Sequence, residues 1–263
     1  MIKHNFFVKF LKKINLSINN LLKKYLNKLN IINLPNIAKS HKVLLTFVVL
    51  VIFFLSYLSI PNIYNKNEVK KKLENQFSDA YGLRLVITQN IKYKFFPRPH
   101  FIAESSFISK NKLKITDIKK LRVYISLKNL FSLKNISINK VILENTNFNL
   151  DKSNYKFFIN LLNNDYSKSN LIIKKSNIFF RNINKEVLFI NKIKYMKYYF
   201  DSKELKNIFI SENELFNISY SLLSYRNKKK EIYSEINFDS LNFQIKNFLD
   251  YNEDLKKGEA NFI

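Results

Sequence analysis

Eighteen consecutive residues, Val43 to Ile60, read VLLTFVVLVIFFLSYLSI without a single charge, and Thr46, Ser56, Tyr57 and Ser59 are their only polar members. As a helix this run is about 27 Å long, close to the ~30 Å hydrocarbon thickness of a bilayer. More than a dozen apolar side chains, each worth roughly −0.3 to −0.6 kcal/mol near a membrane centre, favour insertion. A globular helix apolar on every face is the alternative, and an uncommon one. Some forty residues precede the run and no small-residue cleavage motif follows it, so the expectation is a retained anchor rather than a signal peptide. Pro61 marks its end. The chain therefore divides into residues 1–42, a transmembrane helix at 43–60, a linker helix at 61–82 and a domain over 83–263.

Residues 1–42 contain no Asp or Glu. Phe7, Phe10, Leu11, Ile14, Ile18, Leu21, Leu22, Tyr25 and Leu29 recur at three- and four-residue spacing. Lys9, Lys12, Lys13, Lys23, Lys24 and Lys28 fill much of the remaining surface. This pattern predicts a basic amphipathic segment lying on an anionic leaflet, with packing on a partner or partial disorder as alternatives. The positive-inside rule puts the N-terminus in the cytoplasm, although Lys66, Lys70, Lys71 and Lys72 nearly balance the count across the membrane.

Beyond the anchor, Asn67 is placed to cap a helix over Glu68–Ala80, with Val69, Leu73, Phe77 and Ala80 on one face and Gly82 to end it. The period then changes from 3.6 to 2. Leu83, Leu85 and Ile87 alternate, then Ile91, Tyr93 and Phe95; Pro97-Arg98-Pro99 interrupts, and Phe101–Ile108 resumes. Leu121, Val123, Ile125 and Leu127 form a clear strand pattern, followed by Ile136 and Ile138, Val141 and Leu143, then Phe148 and Leu150. Tyr155–Asn163 reads as a short helix. Further strands are expected at Leu171–Arg181, Val187–Tyr198, Ile208–Ser211, Leu215–Ser224, Glu231–Phe238 and Leu241–Ile245, with Asn and Asp serving the turns. The fold class is mainly β: an antiparallel or meandering sheet with a few short helices. Gly258–Ile263 resembles a strand just beginning, which implies an open last edge or a fragment.

Catalytic signals are sparse. There is no cysteine, which excludes disulfides and thiolate chemistry. Gly82 and Gly258 are the only glycines, so phosphate loops and nucleophile elbows are absent. His4, His41 and His100 fall on both sides of the anchor and cannot meet at one metal; His100, in PRPHF, reads as a surface-loop residue. The expectation is no enzyme, no metal and no cofactor. The formal charge of +25 would ordinarily suggest nucleic acid. It is spread along a Lys-, Asn- and Ile-rich chain, and its densest part sits beside the anchor, so no nucleic-acid partner is expected.

The order of features resembles the N-terminal part of the AsmA family over roughly residues 40–245. The resemblance is carried by the anchor, VKKKLENQFSDAYG, LRLVITQNIKYKF, the PRPHF break, KITDIKKLRVYISLKNLFSLKNISINKVILENTNFNL, the short helix, and the NLIIKKSNIFFRNINKEVLFINKIKY hairpin. Ile125 to Phe131, continuing to Leu150, is its most recognisable stretch. The chain is shorter than the usual member and its basic tail longer. The resemblance implies an inner-membrane protein with a periplasmic β-domain, shaped as an elongated, curved, chorein-like sheet whose apolar groove holds phospholipid acyl chains. It also implies roles in outer-membrane lipid homeostasis, or in targeting and assembly of outer-membrane proteins. Desolvating a sixteen-carbon chain is worth about 12 kcal/mol, a barrier such a groove would remove. Leu121, Val123, Ile125, Leu127, Ile136, Ile138, Val141 and Leu143 are the candidate groove positions; the alternative is that they pack a closed core. Membrane lipid and envelope-assembly proteins are the expected partners, and a non-enzymatic scaffold that pairs through an open sheet edge is the competing function.

Overall fold

The computed structural model describes residues 42–110, 113–128, 130–227, 231–250 and 255–262. The chain forms two compact units, one ending at Ser56 and the other running from Tyr57 to Ile263. The described part of the first is helical: α1 spans Lys42–Ser59, its last turn belonging to the second unit. Thr46–Ile63 is long and apolar enough to cross a membrane.

A 3-10 turn, Ile60–Ile63, carries Pro61 where a missing N–H costs nothing. Helix α2 follows over Lys66–Tyr81. It begins earlier than the sequence suggests, and its cap is Asn65 rather than Asn67. The Asn65 side chain accepts from the Asn67 N–H at 2.9 Å and the Glu68 N–H at 3.4 Å, satisfying two donors of the first turn. Gly82 stops the helix at φ 62°, and its N–H donates to the Ser78 carbonyl at 2.8 Å. Val69, Leu73, Phe77 and Tyr81 form the buried face.

The remainder is a 13-stranded sheet that does not close on itself. Its strands are β1 (Arg84–Ile87), β2 (Ile91–Lys94), β3 (His100–Lys110), β4 (Leu113–Lys114), β5 (Thr116–Ile125), β6 (Ile138–Leu150), β7 (Asn170–Arg181), β8 (Val187–Asp201), β9 (Lys206–Leu215), β10 (Ile218–Arg226), β11 (Glu231–Phe238), β12 (Phe243–Asp250) and β13 (Leu255–Phe262). Spatial order follows chain order from β5 onward, and β3 carries β1 and β2 along its other edge. One pair departs from the expected antiparallel meander. Strands β6 and β7 are parallel, because residues 151–169, with α3 (Phe157–Leu161) inside them, cross over before the chain re-enters the sheet.

A line of irregularities crosses the middle strands. Ser105 in β3, Asn145 in β6 and Lys175 in β7 have φ of 58°, 52° and 49°, and the register shifts at Lys194 in β8. At Ser105, Asn145 and Lys175 the register on either side is unchanged, and only Lys194 is one extra residue, a bulge against β9. The line as a whole marks a change of phase. Its effect is legible in burial: Leu121, Val123 and Ile125 point to the core at odd positions, Thr116 and Ile118 at even ones. The same inversion separates Val141 and Leu143 from Thr146 and Phe148, and Leu171 and Ile173 from Ser176 and Ile178. Because several strands slip together, one face stays apolar throughout.

Candidate functional site

That apolar face is divided into a covered and an open part. Over the first strands lies α2. Its Gln76 amide works as a strand substitute, donating to the Ile136 carbonyl and accepting from the Ile138 N–H at 3.1 Å. Glu74 accepts from the Ile87 N–H at 2.7 Å. The crossover extends the cover. Tyr166 sits between Tyr81 and Tyr198, with ring centroids 5.9 and 5.5 Å away, and Asn207 donates to the carbonyls of Leu162 and Asn164 at 3.0 and 2.6 Å. Burial raises the pKa of Tyr81, Tyr166 and Tyr198 well above the ordinary phenol value, so all three stay neutral.

Seven of the eight groove positions expected from the sequence lie under this cover. Leu121, Val123, Ile125, Ile136, Ile138, Val141 and Leu143 are buried in a single apolar core with Val69, Leu73 and Phe77. Leu127 is exposed in the loop after β5. The six lysines of the basic segment, Lys9 to Lys28, lie outside the described residues.

The open part begins where α3 ends its reach. A groove of about 380 Å³ runs across β7 to β11 beside Phe158, floored by Phe180, Phe189, Met196, Phe209 and Leu222. Small polar groups are set among them. Tyr220 donates to Asn191 at 3.0 Å, Asn213 to Ser211 at 2.7 Å, and Ser224 to the Tyr233 carbonyl at 2.8 Å. Most of the polar floor is thereby satisfied internally, while Asn213 Oδ1, buried, has no partner. Sequence periodicity misses this groove because Asn191, Ser211, Asn213 and Ser224 interrupt the apolar alternation that marks an inward face.

The opposite face of the sheet is charged. Arg122 pairs with Glu144 at 2.8 Å and Lys192 with Glu214 at 2.7 Å, while Lys140 lies 4.3 Å from the Tyr124 ring centroid. His100 is not a surface-loop residue. It opens β3, is buried, stacks on Tyr124 at 4.8 Å and donates from Nδ1 to the Arg98 carbonyl at 2.7 Å. Desolvation lowers its pKa, reinforced by Arg122, Lys94 and Lys140 and opposed by the Arg98 carbonyl. No group of three metal-ligating side chains occurs among the described residues.

An anchor-like helix, a capped amphipathic helix laid on an open sheet, and a crossover before β7 form a distinctive order. The AsmA family model matches residues 38–194, more than half of the chain. The chain belongs to the AsmA family. The AsmA match takes in both long helices, the covered core and the crossover, and stops within β8. Of the open groove, it includes Phe180 and Phe189 but not Met196, Phe209 or Leu222. Among curated proteins, none matches the sequence significantly.

Proposed function

We propose that this AsmA-family chain is held in the bacterial inner membrane by α1, its N-terminus cytoplasmic and its β-unit periplasmic. There it binds phospholipid acyl chains along the open part of the apolar face, in support of outer-membrane lipid homeostasis. The observation that carries this reading is the open groove across β7–β11, an aromatic and aliphatic floor that α3 borders and that no other helix covers among the described residues. A hydrocarbon chain gains about 25 cal/mol for each Å² of apolar surface removed from water on entering such a groove. It needs no covalent chemistry there. The basic segment of residues 1–42 would hold the cytoplasmic leaflet through its lysines.

A scaffold for outer-membrane protein assembly is the competing reading. It is favoured by β13, which pairs on one side only among the described residues and could add a strand from another chain.

Photo-crosslinking in cells separates the two. Benzoylphenylalanine placed at Phe189 or Leu222 in the full chain is expected to capture radiolabelled phospholipid, whereas at Tyr199, on the opposite face, it is not. Protein adducts without lipid at the groove positions would refute acyl-chain binding and favour the scaffold.

A further inference from the structure

The end of the apolar helix is not free: the loop after β5 is tied to it, and so is strand β2, which leads into the β2–β3 loop. The Tyr57 hydroxyl donates to the Leu127 carbonyl at 2.6 Å and accepts from the Leu130 N–H at 3.1 Å, and its ring lies 5.1 Å from that of Phe131. Tyr64 donates to the Leu130 carbonyl, and Tyr93 of β2 to the carbonyl of Leu58. The Ile125 N–H donates to the Pro99 carbonyl at 3.1 Å, joining the β2–β3 loop to the end of β5. Leu58, Pro61 and Leu130 are buried in this junction.

What surrounds the junction is exposed and apolar. Phe96 is 79% exposed and Phe131 71%, with Ile63, Phe95 and Leu127 also open. A cluster of this kind is unusual on a surface that faces only water. The segments that carry it hold exposed cations, Lys66, Lys94, Arg98, Lys128 and Lys134. Segments 57–67, 91–100 and 126–137 contain no Asp or Glu.

We propose that these two loops and the helix-exit turn form a seat on an anionic bilayer surface. Phe96 and Phe131 enter the headgroup–acyl boundary, and the surrounding cations lie against lipid phosphates. The proposal rests on the reading of α1 as a membrane span. It follows because residues bonded to the last turn of such a span lie within side-chain reach of the interface.

The protein lacks tryptophan, so a single introduced indole reports its own depth. The full chain would be reconstituted in phosphatidylethanolamine–phosphatidylglycerol vesicles containing brominated phospholipid. Four variants are compared: Phe53→Trp in α1, Phe96→Trp, Phe131→Trp, and Phe216→Trp in the β9–β10 turn at the opposite strand ends. The expected result is at least twofold bromolipid quenching with blue-shifted emission for Phe53→Trp, Phe96→Trp and Phe131→Trp, and none for Phe216→Trp. Quenching of Phe53→Trp alone, with Phe96→Trp and Phe131→Trp behaving like Phe216→Trp, would overturn the seat and leave the span standing. Absence of quenching in Phe53→Trp would overturn the span and the seat together.

Discussion

The buried Tyr198 hydroxyl donates to the Phe158 carbonyl at 2.8 Å, and this bond fixes where the cover over the sheet stops. Its ring lies 5.5 Å from Tyr166 on one side and 4.5 Å from Phe209 on the other, so one residue joins the crossover to the groove floor. Changing Tyr198→Phe keeps both rings and strands the Phe158 carbonyl. The expected cost is about 1–3 kcal/mol in a urea titration, with faster amide exchange in 157–162 than in β5 or β6.

Division of the apolar face into covered and open parts gives opposite outcomes for one kind of substitution. Val123→Asp places a carboxylate in the apolar core beneath α2 and should cost several kcal/mol and abolish folding. Leu222→Asp lies in the open groove. It should leave the circular dichroism spectrum intact and remove co-purifying lipid. If Leu222→Asp unfolds the β-unit as completely as Val123→Asp does, the distinction fails.

Acid sensitivity should come from His100. Its folded pKa lies below the ordinary 6.5, chiefly through desolvation, so the unfolded chain takes up a proton first as pH falls. Stability is therefore full above about pH 6.5 and declines below it, until pH passes the lowered folded value. Unfolding midpoints measured from pH 7.5 to 5 should fall for the native protein. They should fall less for His100→Asn, which removes the titrating ring.

The positive-φ positions on the line across the middle strands should respond to backbone preference rather than to side-chain contact. Lys175 holds φ at 49°, a conformation costing a non-glycine residue roughly 1–2 kcal/mol. Lys175→Gly should stabilise by about 0.5–1 kcal/mol. Asn145→Val, which puts a β-branched side chain at φ 52°, should destabilise by about 1–2 kcal/mol. Thermal melts of the two variants check the sign.

The apolar run, the stop at Gly82, the crossover helix and the long hairpins are all legible as patterns, and the bounds of β11 coincide with the alternation in Glu231–Phe238. Other elements are obscured for identifiable reasons. Strand β6 reads as separate pieces around Ile138, Val141 and Phe148 because its phase slips twice, opposite the register shift at Tyr124–Ile125 and again at Asn145, and each inversion looks like a break. The turn between β9 and β10 is made by Phe216 and Asn217, with φ of 51° and 64°. A phenylalanine carries no turn signal, so Leu215 reads as the start of the next strand rather than the end of β9. Covered and open halves of the apolar face are the least legible of all. Burial of Leu121 or Val141 depends on helix α2, some forty residues or more upstream, and alternation alone cannot register what lies over it.

From β7 to β13 every strand pairs with its neighbours in sequence. Such an array behaves like a one-dimensional chain of nearest-neighbour couplings. It also means that the length of the array is set by a repeatable step. Gain or loss of one hairpin between β10 and β13 would change the span by two strand spacings, about 9–10 Å, without rewriting any contact of α2 or the crossover. Evolution could thus tune reach along this protein independently of the stability of its core.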